Sequence, residues 1–454
     1  MTTKPTLIIY GATSFTAKQL LVYLDTHHDG DQFEFILAGR NQSRLAAANA
    51  KLRTSREIIA CQLDDEEGVT NLVAKGDVVV NLAGPFRWHN AEALIRECVR
   101  TGKHYVDLTG ESSWLATDII PVYNDLAIGS GSCIVPSCGF DSVPSDLTLW
   151  QALKTLQSTY PTLTFAQSKS LFSLKGASMS GGTVQSMYSV AELPKDQRRS
   201  GEYDLIPKVE GKSKPKSTIP KISYELKIPN EPLKFGSFFF MYPYNRTIIR
   251  RSQYLSTLSS SRSIASSTST STSTSSENEP IHHDENGSGA GSMQYEESMN
   301  FRKGKIGSSL ITLTLFFAFG LFYSSKIIRK LFSYILPAAG TGASEEDLFK
   351  ASYIVENVST STPLPNGKVV KVLTTFKAKG DPGYLSTCYL LAESALSLVL
   401  PPPEGTSFPP LYKKGGLLTP STAMGGVLVE RLIKSGKVEI ESRIIYSEED
   451  KKDL

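Results

Sequence analysis

The chain has 454 residues, 40% of them hydrophobic and 20% charged, enough apolar content to bury a globular core. Lys and Arg number 48 against 45 Asp and Glu; the formal charge of +3 excludes a nucleic-acid surface unless the cations cluster. Five scattered cysteines (Cys61, Cys98, Cys133, Cys138, Cys388) fit neither a disulfide framework nor a zinc knuckle, so the expected compartment is reducing and no metal site is expected.

The first residues lack the apolar core of a secretory leader and read instead as the start of a strand. From there to about residue 155, short apolar runs alternate with helical segments. Leu7–Tyr10, Phe33–Ala38, Glu57–Cys61, Val78–Leu82, Tyr105–Leu108 and Cys133–Pro136 are the expected strands. Thr16–Thr26, Ser43–Leu52, Glu66–Ala74, Ala91–Thr101 and Trp114–Ile128 are the expected helices. Runs such as Val78-Val79-Val80 suit parallel strands covered on both faces, which predicts an α/β, doubly wound parallel sheet over 1–155.

Residues 156–254 read as an α+β substrate or dimerisation domain, with strands at Leu163–Leu174, Ser237–Tyr242 and Arg246–Arg251; a homodimer is compatible with this. The composition then changes. Between Ser256 and Ser276, 17 of 21 residues are Ser or Thr, and a polar stretch containing His282-His283 follows; such a composition cannot offset its ordering entropy, so 255–300 is expected to be an unordered insertion.

From Ile306 to Ser325 no residue is charged, and a helix of that length spans roughly 30 Å, the thickness of a bilayer core. Lys326–Leu336 adds an amphipathic arm whose polar face is basic. Residues 301–340 are therefore read as a hydrophobic segment attached monotopically to a membrane or lipid-droplet surface through 306–336: the first arm dips into one leaflet and the basic arm lies at the surface, since a span would put the parts before and after it on opposite sides and cations at both ends leave no charge bias to orient one. A buried core helix is the alternative. Residues 341–454 return to globular composition and complete the second domain, with a strand at Val369–Ala378, helices at Tyr384–Leu398 and Ala423–Ser435, and a last strand at Val438–Tyr446.

The turn after the first strand, Gly11-Ala12-Thr13-Ser14-Phe15-Thr16-Ala17, keeps one glycine of a G-x-x-G-x-x-G phosphate loop and puts small residues, Ser14 and Ala17, at the other two positions. Such a loop lets backbone N–H groups and a helix N-terminus meet a pyrophosphate. The second strand ends at Arg40 rather than at an acidic residue; a guanidinium there suits a 2′-phosphate, so NADP (NADPH) is favoured over NAD. Asp64 is placed near the adenine, and Asn81, Ala83, Gly84 and Pro85 end the fourth strand where the nicotinamide ribose would lie.

With these features the chain resembles the saccharopine dehydrogenase-like oxidoreductases, in particular the branch that includes trans-acting enoyl reductases. The resemblance rests on Gly11–Ala17, Ala38-Gly39-Arg40, Asn81–Phe86, Gly102–Glu111, Cys138–Asp146, Gly176–Thr183, Arg250-Arg251-Ser252, Gly380–Tyr384, Leu391–Leu396 and Gly415–Pro420. It implies a Rossmann-type NADP-binding domain. Asp107, Glu111, Asp141 and Ser142 follow strand ends on the ligand side of such a sheet, where they either orient substrate and relay protons or cap turns. No catalytic acid is legible. The leading reading is an NADP(H)-dependent oxidoreductase acting on a lipid-like or membrane-associated small molecule. The alternatives are a lipid-surface Rossmann protein with a structural or regulatory role, and a saccharopine reductase of lysine synthesis.

Overall fold

The computed structural model describes residues 4–176, 180–198, 201–208, 215–267, 293–337 and 344–446. His282-His283, residues 268–276 of the Ser/Thr-rich stretch and part of the Gly176–Thr183 motif lie outside the described residues.

The first 135 residues alternate strand and helix as the apolar runs require. Strands β1 (Thr6–Tyr10), β2 (Glu34–Gly39), β3 (Ile58–Ala60), β4 (Val78–Asn81), β5 (His104–Asp107) and β6 (Cys133–Val135) are separated by α1 (Phe15–Asp25), α2 (Gln42–Asn49), α3 (Glu66–Val73), α4 (Glu92–Thr101), and α5 (Ser112–Trp114) with α6 (Ile120–Ser130). All pair in parallel. Leu7 and Ile9 enter the core on one face of β1, Ile8 and Tyr10 that on the other, so each strand is apolar throughout.

The rest of the chain runs α7 (Val143–Thr159), β7 (Phe165–Lys175), α8 (Gly181–Glu192), β8 (Tyr224–Leu226), β9 (Lys234–Phe238), α9 (Tyr242–Ser267), β10 (Gln294–Met299), α10 (Gly304–Ser324), α11 (Lys326–Phe332) and α12 (Glu345–Lys350). It continues through β11 (Ser352–Ser361), β12 (Lys371–Lys379), α13 (Thr387–Val399), β13 (Gly416–Leu417), α14 (Pro420–Ala423), α15 (Gly426–Lys434) and β14 (Val438–Ile445). The second sheet has the order β14-β12-β11-β7-β10-β9-β8 and is antiparallel except where β10 runs alongside β7.

The C-terminal part does more than complete the second domain. β13 joins the first sheet next to β6, giving the order β13-β6-β5-β4-β1-β2-β3. Beneath that sheet, α13 packs on α1, where the rings of Tyr23 and Tyr389 lie 4.8 Å apart and the Cys388 thiol donates to Thr16 O at 3.1 Å.

Several local expectations differ from the structure: the strand expected at Ser237–Tyr242 ends at Phe238, and α9 runs on to Ser267 within the stretch expected to be unordered. Arg246–Arg251 is helical, not a strand: Ile248 and Ile249 are buried, and the arginines reach across the fold, Arg250 to Glu202 and Arg251 to the carbonyls of Leu205 and Leu417. Within the stretch expected to be unordered, Gln294–Met299 is a central strand.

Buried charge joins the C-terminal helices to the nucleotide-binding half. Glu393 on α13 accepts from Tyr23 OH, meets His27 Nε2 at 2.8 Å and accepts from Arg431 Nε at 3.0 Å. Glu393→Ala leaves Arg431 with only Asp29, which its Nη2 meets at 3.1 Å, and takes the carboxylate partner from Tyr23 and His27; the expected loss is about 1.5–3 kcal/mol. Urea unfolding of the two proteins measures it; a change near zero would show that the cluster carries no net stability.

Candidate active site

The loops after β1 and β4 meet where the strand order reverses, the position at which open α/β sheets bind ligands. Gly11 makes the meeting possible. Its φ is +79°, and a Cβ there would lie 2.9 Å from Ala83 N, so no other residue fits without displacing the β4 loop. Ser14 caps α1 by accepting from Ala17 N at 3.2 Å, which leaves its own hydroxyl hydrogen free for a ligand.

These loops open into one cavity of about 1050 Å³, at the upper end of the range of ligand pockets. Thr13, Ser14, Phe15, Thr16, Gly84 and Pro85, all expected at the cofactor, line it. Lys18 and Arg44 lie on the same side, with the first turn of α1 and its partial positive charge. Small residues, a helix N-terminus and the Lys18 cation fit the pyrophosphate of a dinucleotide. The opposite wall is apolar, built from Phe238, Phe240, Met241, Phe316 and Phe319.

The other expected residues lie outside this lining. Arg40 is exposed at the end of β2, close enough to His89 to join burial in lowering its imidazole pKa; Arg44, one helical turn further on, lines the cavity instead. The arginine pair carries a signal that spacing alone held and Arg40 by itself obscured. Asp64 accepts from Asn90 Nδ2 at 3.1 Å, away from the lining. Asn81 is fully buried, donating to Tyr105 OH and accepting from Ala83 N, so it shapes the β4 turn rather than touching a ligand.

Of the four residues expected at the substrate, only Asp141 lines the cavity. The Asp107 carboxylate is consumed by Thr109 N and Ser137 N, both at 2.9 Å, and by Tyr105 OH; burial pushes it up to about 7 while these donors pull it down. Glu111 accepts from Phe86 N at 2.7 Å and from Ser189 OH at 3.3 Å, clamping the β4 loop to α8; burial raises its pKa against those donors. Ser142 is buried at the start of α7. The turn-capping role is what Asp107 and Glu111 perform.

Asp141 is the one carboxyl among the described lining residues, and burial pushes it up to about 6. Tyr244, which sequence pattern did not single out, sits in the same wall, but its hydroxyl donates to Thr109 O at 2.8 Å and meets the Ser137 hydroxyl. Asp141 is thus the lining carboxyl whose burial favours the protonated form over that of an ordinary aspartate.

A seven-stranded parallel sheet with a phosphate-type loop at its switch point, joined to a mixed-sheet domain over one cavity, defines a two-domain dinucleotide-binding α/β protein. The chain's relatives place it further. Residues 7–125 match the model of the saccharopine dehydrogenase NADP-binding domain. A Mycobacterium tuberculosis protein named as a trans-acting enoyl reductase is 29% identical over 440 residues, covering 95% of this chain and 96% of its own. The trans-acting enoyl reductase of Mycobacterium leprae is 26% identical with the same coverage. Among solved structures, apo saccharopine dehydrogenase (L-Glu forming) from Saccharomyces cerevisiae superposes with a TM-score of 0.51 over 97% of this chain and 100% of its own, at 11% identity, a likeness of fold alone. The chain is thus similar to the saccharopine dehydrogenase NADP-binding domain over residues 7–125, and over most of its length to proteins named as trans-acting enoyl reductases.

Because the native state holds the Asp141 proton more tightly than the unfolded chain, this group's contribution to stability is intact below about pH 4 and is lost as pH rises through about 6. Asp141→Asn is always neutral. It should melt above the parent protein at about pH 7.5 and alongside it near about pH 4 in a calorimetric series. A constant offset across that range would mean that Asp141 does not titrate in the native state.

Proposed function

We propose that the protein is an NADP(H)-dependent oxidoreductase acting on a lipid-like, membrane-associated substrate at the cytosolic face of a membrane or lipid droplet. The observation that carries this reading is the cavity itself: one continuous space runs from the phosphate-type loop to an aromatic wall that includes Phe316 and Phe319 of α10. Bound at the loop, the reduced nicotinamide supplies hydride. The chain's part is to seat the pyrophosphate on Thr13–Thr16, to meet a 2′-phosphate with Arg40 and Arg44, and to return a proton from Asp141. The relatives named for enoyl reduction favour a conjugated C=C bond as the reacting group. A saccharopine-type substrate, with several carboxylates, is disfavoured by the apolar arm. Arg198, the cation lining that arm, has already spent donors on the carbonyls of Leu193, Ala191 and Tyr323.

The outer side of α10 supports attachment to lipid. Only 17% of its most apolar window is buried, which disfavours a core helix. Its other side is fastened to the folded domain: Thr312 Oγ1 accepts from Phe238 N at 2.9 Å, and the rings of Phe316 and Phe238 lie 4.9 Å apart. A helix docked along one side cannot be surrounded by hydrocarbon, so it lies in the plane of a leaflet rather than across it. No acidic residue occurs between Glu297 and Glu345, while Lys303, Lys326 and Lys330 flank the apolar stretch, a charge pattern suited to anionic lipid.

Titration calorimetry with NADPH and NADH tests the cofactor assignment. NADPH should bind more tightly, and Arg40→Asp or Arg44→Asp should each weaken it by roughly tenfold or more, the worth of a charge-assisted hydrogen bond. Ser14→Leu should abolish binding of both nucleotides while costing the fold only the helix cap, about 1 kcal/mol. Equal affinities in the parent protein would remove the NADP assignment. Binding without turnover of any enoyl compound, whether a soluble thioester or a lipid presented in vesicles, would favour the structural or regulatory alternative.

A further inference from the structure

The helix α10 has two apolar sides, and only one of them faces the protein. Phe316, Phe319 and Tyr323, at spacings of three and four residues, line the cavity. On the other side Ile306, Leu310, Leu313 and Phe317 recur at spacings of four, three and four, and are 79%, 60%, 48% and 69% exposed. After the break at Ser325, α11 and the turn that follows continue the outward surface with Ile327, Leu331, Tyr334 and Ile335. Of the 22 large hydrophobics exposed among the described residues, nine fall between 301 and 335. A soluble surface scatters such residues singly; a contiguous band marks contact with an apolar partner.

The thickness of the wall decides what that partner can deliver. A helix with its side chains is about 10–12 Å across, and an in-plane helix sinks its apolar face about 5–10 Å into the boundary between headgroups and acyl chains. With the outer stripe at that depth, the cavity-lining side of α10 stands near the level of the headgroups. Chain ends can reach it without crossing water. The inner wall offers them aromatic surface: Phe240, Phe316 and Phe319 are each half-buried, neither sealed in the core nor on the open surface. The helix is also held firmly enough to act as a fixed wall. Arg198 Nη1 donates to Tyr323 O at 2.9 Å, Tyr188 OH donates to Arg329 O at 2.7 Å, and buried Phe322 packs against the Tyr188 ring at 5.1 Å.

We propose that α10 is the partition between an anionic lipid leaflet and the active-site cavity, and that the hydrocarbon chain of a leaflet lipid passes around it to reach the cofactor end. This rests on the reading of the protein as a lipid-surface oxidoreductase and names the source of its substrate: a long-chain lipid taken laterally from the leaflet, not a water-soluble thioester arriving from solution. The reducible bond stops where the apolar arm meets Asp141. Hydride from the reduced nicotinamide adds to one carbon of a conjugated C=C bond, the proton on the Asp141 carboxyl goes to the other, and the carboxylate left behind regains a proton from water.

Quenching by bromine-labelled acyl chains separates the two halves of this idea. Leu310→Trp reports from the outer stripe and Phe319→Trp from the cavity wall, each read against the parent protein's own tryptophans on vesicles of phosphatidylcholine and phosphatidylserine. Leu310→Trp should bind NADPH as the parent does, and both variants should lose emission when the lipid chains are brominated. Quenching at 310 alone would leave the surface attachment standing and overturn the passage of chains into the cavity. Quenching at 319 alone would overturn the partition, because chains would then enter without the outer face meeting the leaflet. Quenching at neither position would overturn the attachment and with it the whole proposal. Vesicles of phosphatidylcholine alone should give weaker quenching at both sites, because the flanking lysines then lose their counter-charge.

Discussion

Everything at the active site depends on the backbone contact between Gly11 and Ala83. Two loops that follow neighbouring strands must approach until a single methyl group would separate them, and the first of them must turn through a left-handed residue to do so. That contact fixes the mouth of the cavity, the direction of α1 and the height of the β4 loop. Asn81 and Glu111 then hold the second loop from below and behind, so the surface offered to a nucleotide is set by groups that never touch one. The loss of two glycines from the usual loop pattern is tolerable for the same reason. Only the first sits where space runs out, while Ser14 converts its place into a helix cap.

The nucleotide-binding half was legible because its strands are apolar on both faces and its first three helices begin at capping residues, Ser14, Asn41 and Asp65; neither signal needs tertiary context. The second half withheld more. The strand Gln294–Met299 reads as polar, yet Glu297 is buried among Asn245, Ser145 and Tyr295 side chains that hydrogen-bond it or one another, so its burial is achieved by pairing rather than by hydrophobicity. The β-branched run around Ile248 looked extended, but its arginines are satisfied only if the backbone is helical and spreads them toward three different segments. The acidic residues at the strand ends were visible as a set, and their division into one cavity-facing acid and two loop anchors was not. The difference lies in which backbone N–H groups the loops leave unpaired, a property that composition does not carry.

The apolar stretch at 306–325 shows the opposite case, a signal too strong to be specific. Its composition suits a core helix, a span or an interfacial helix equally. The split between Phe316, Phe319 and Tyr323 on one side and Leu310, Leu313 and Phe317 on the other emerges only once β9 is in place to take one of them. Aromatic side chains at both surfaces let one helix serve as an enzyme wall and an outer surface at once.

The return of the chain to its own beginning has a consequence for how the protein is made. The edge strand β13 and the layer formed by α13 belong to the core of the nucleotide-binding half, and α13 supplies the surface on which α1 rests. During synthesis those segments leave the ribosome last, long after α10 and its band of exposed hydrophobics. A nascent chain therefore presents its exposed apolar helix while the first sheet still has one face bare. The order of emergence leaves that apolar band open to an apolar partner, a chaperone among them, before the first domain can close.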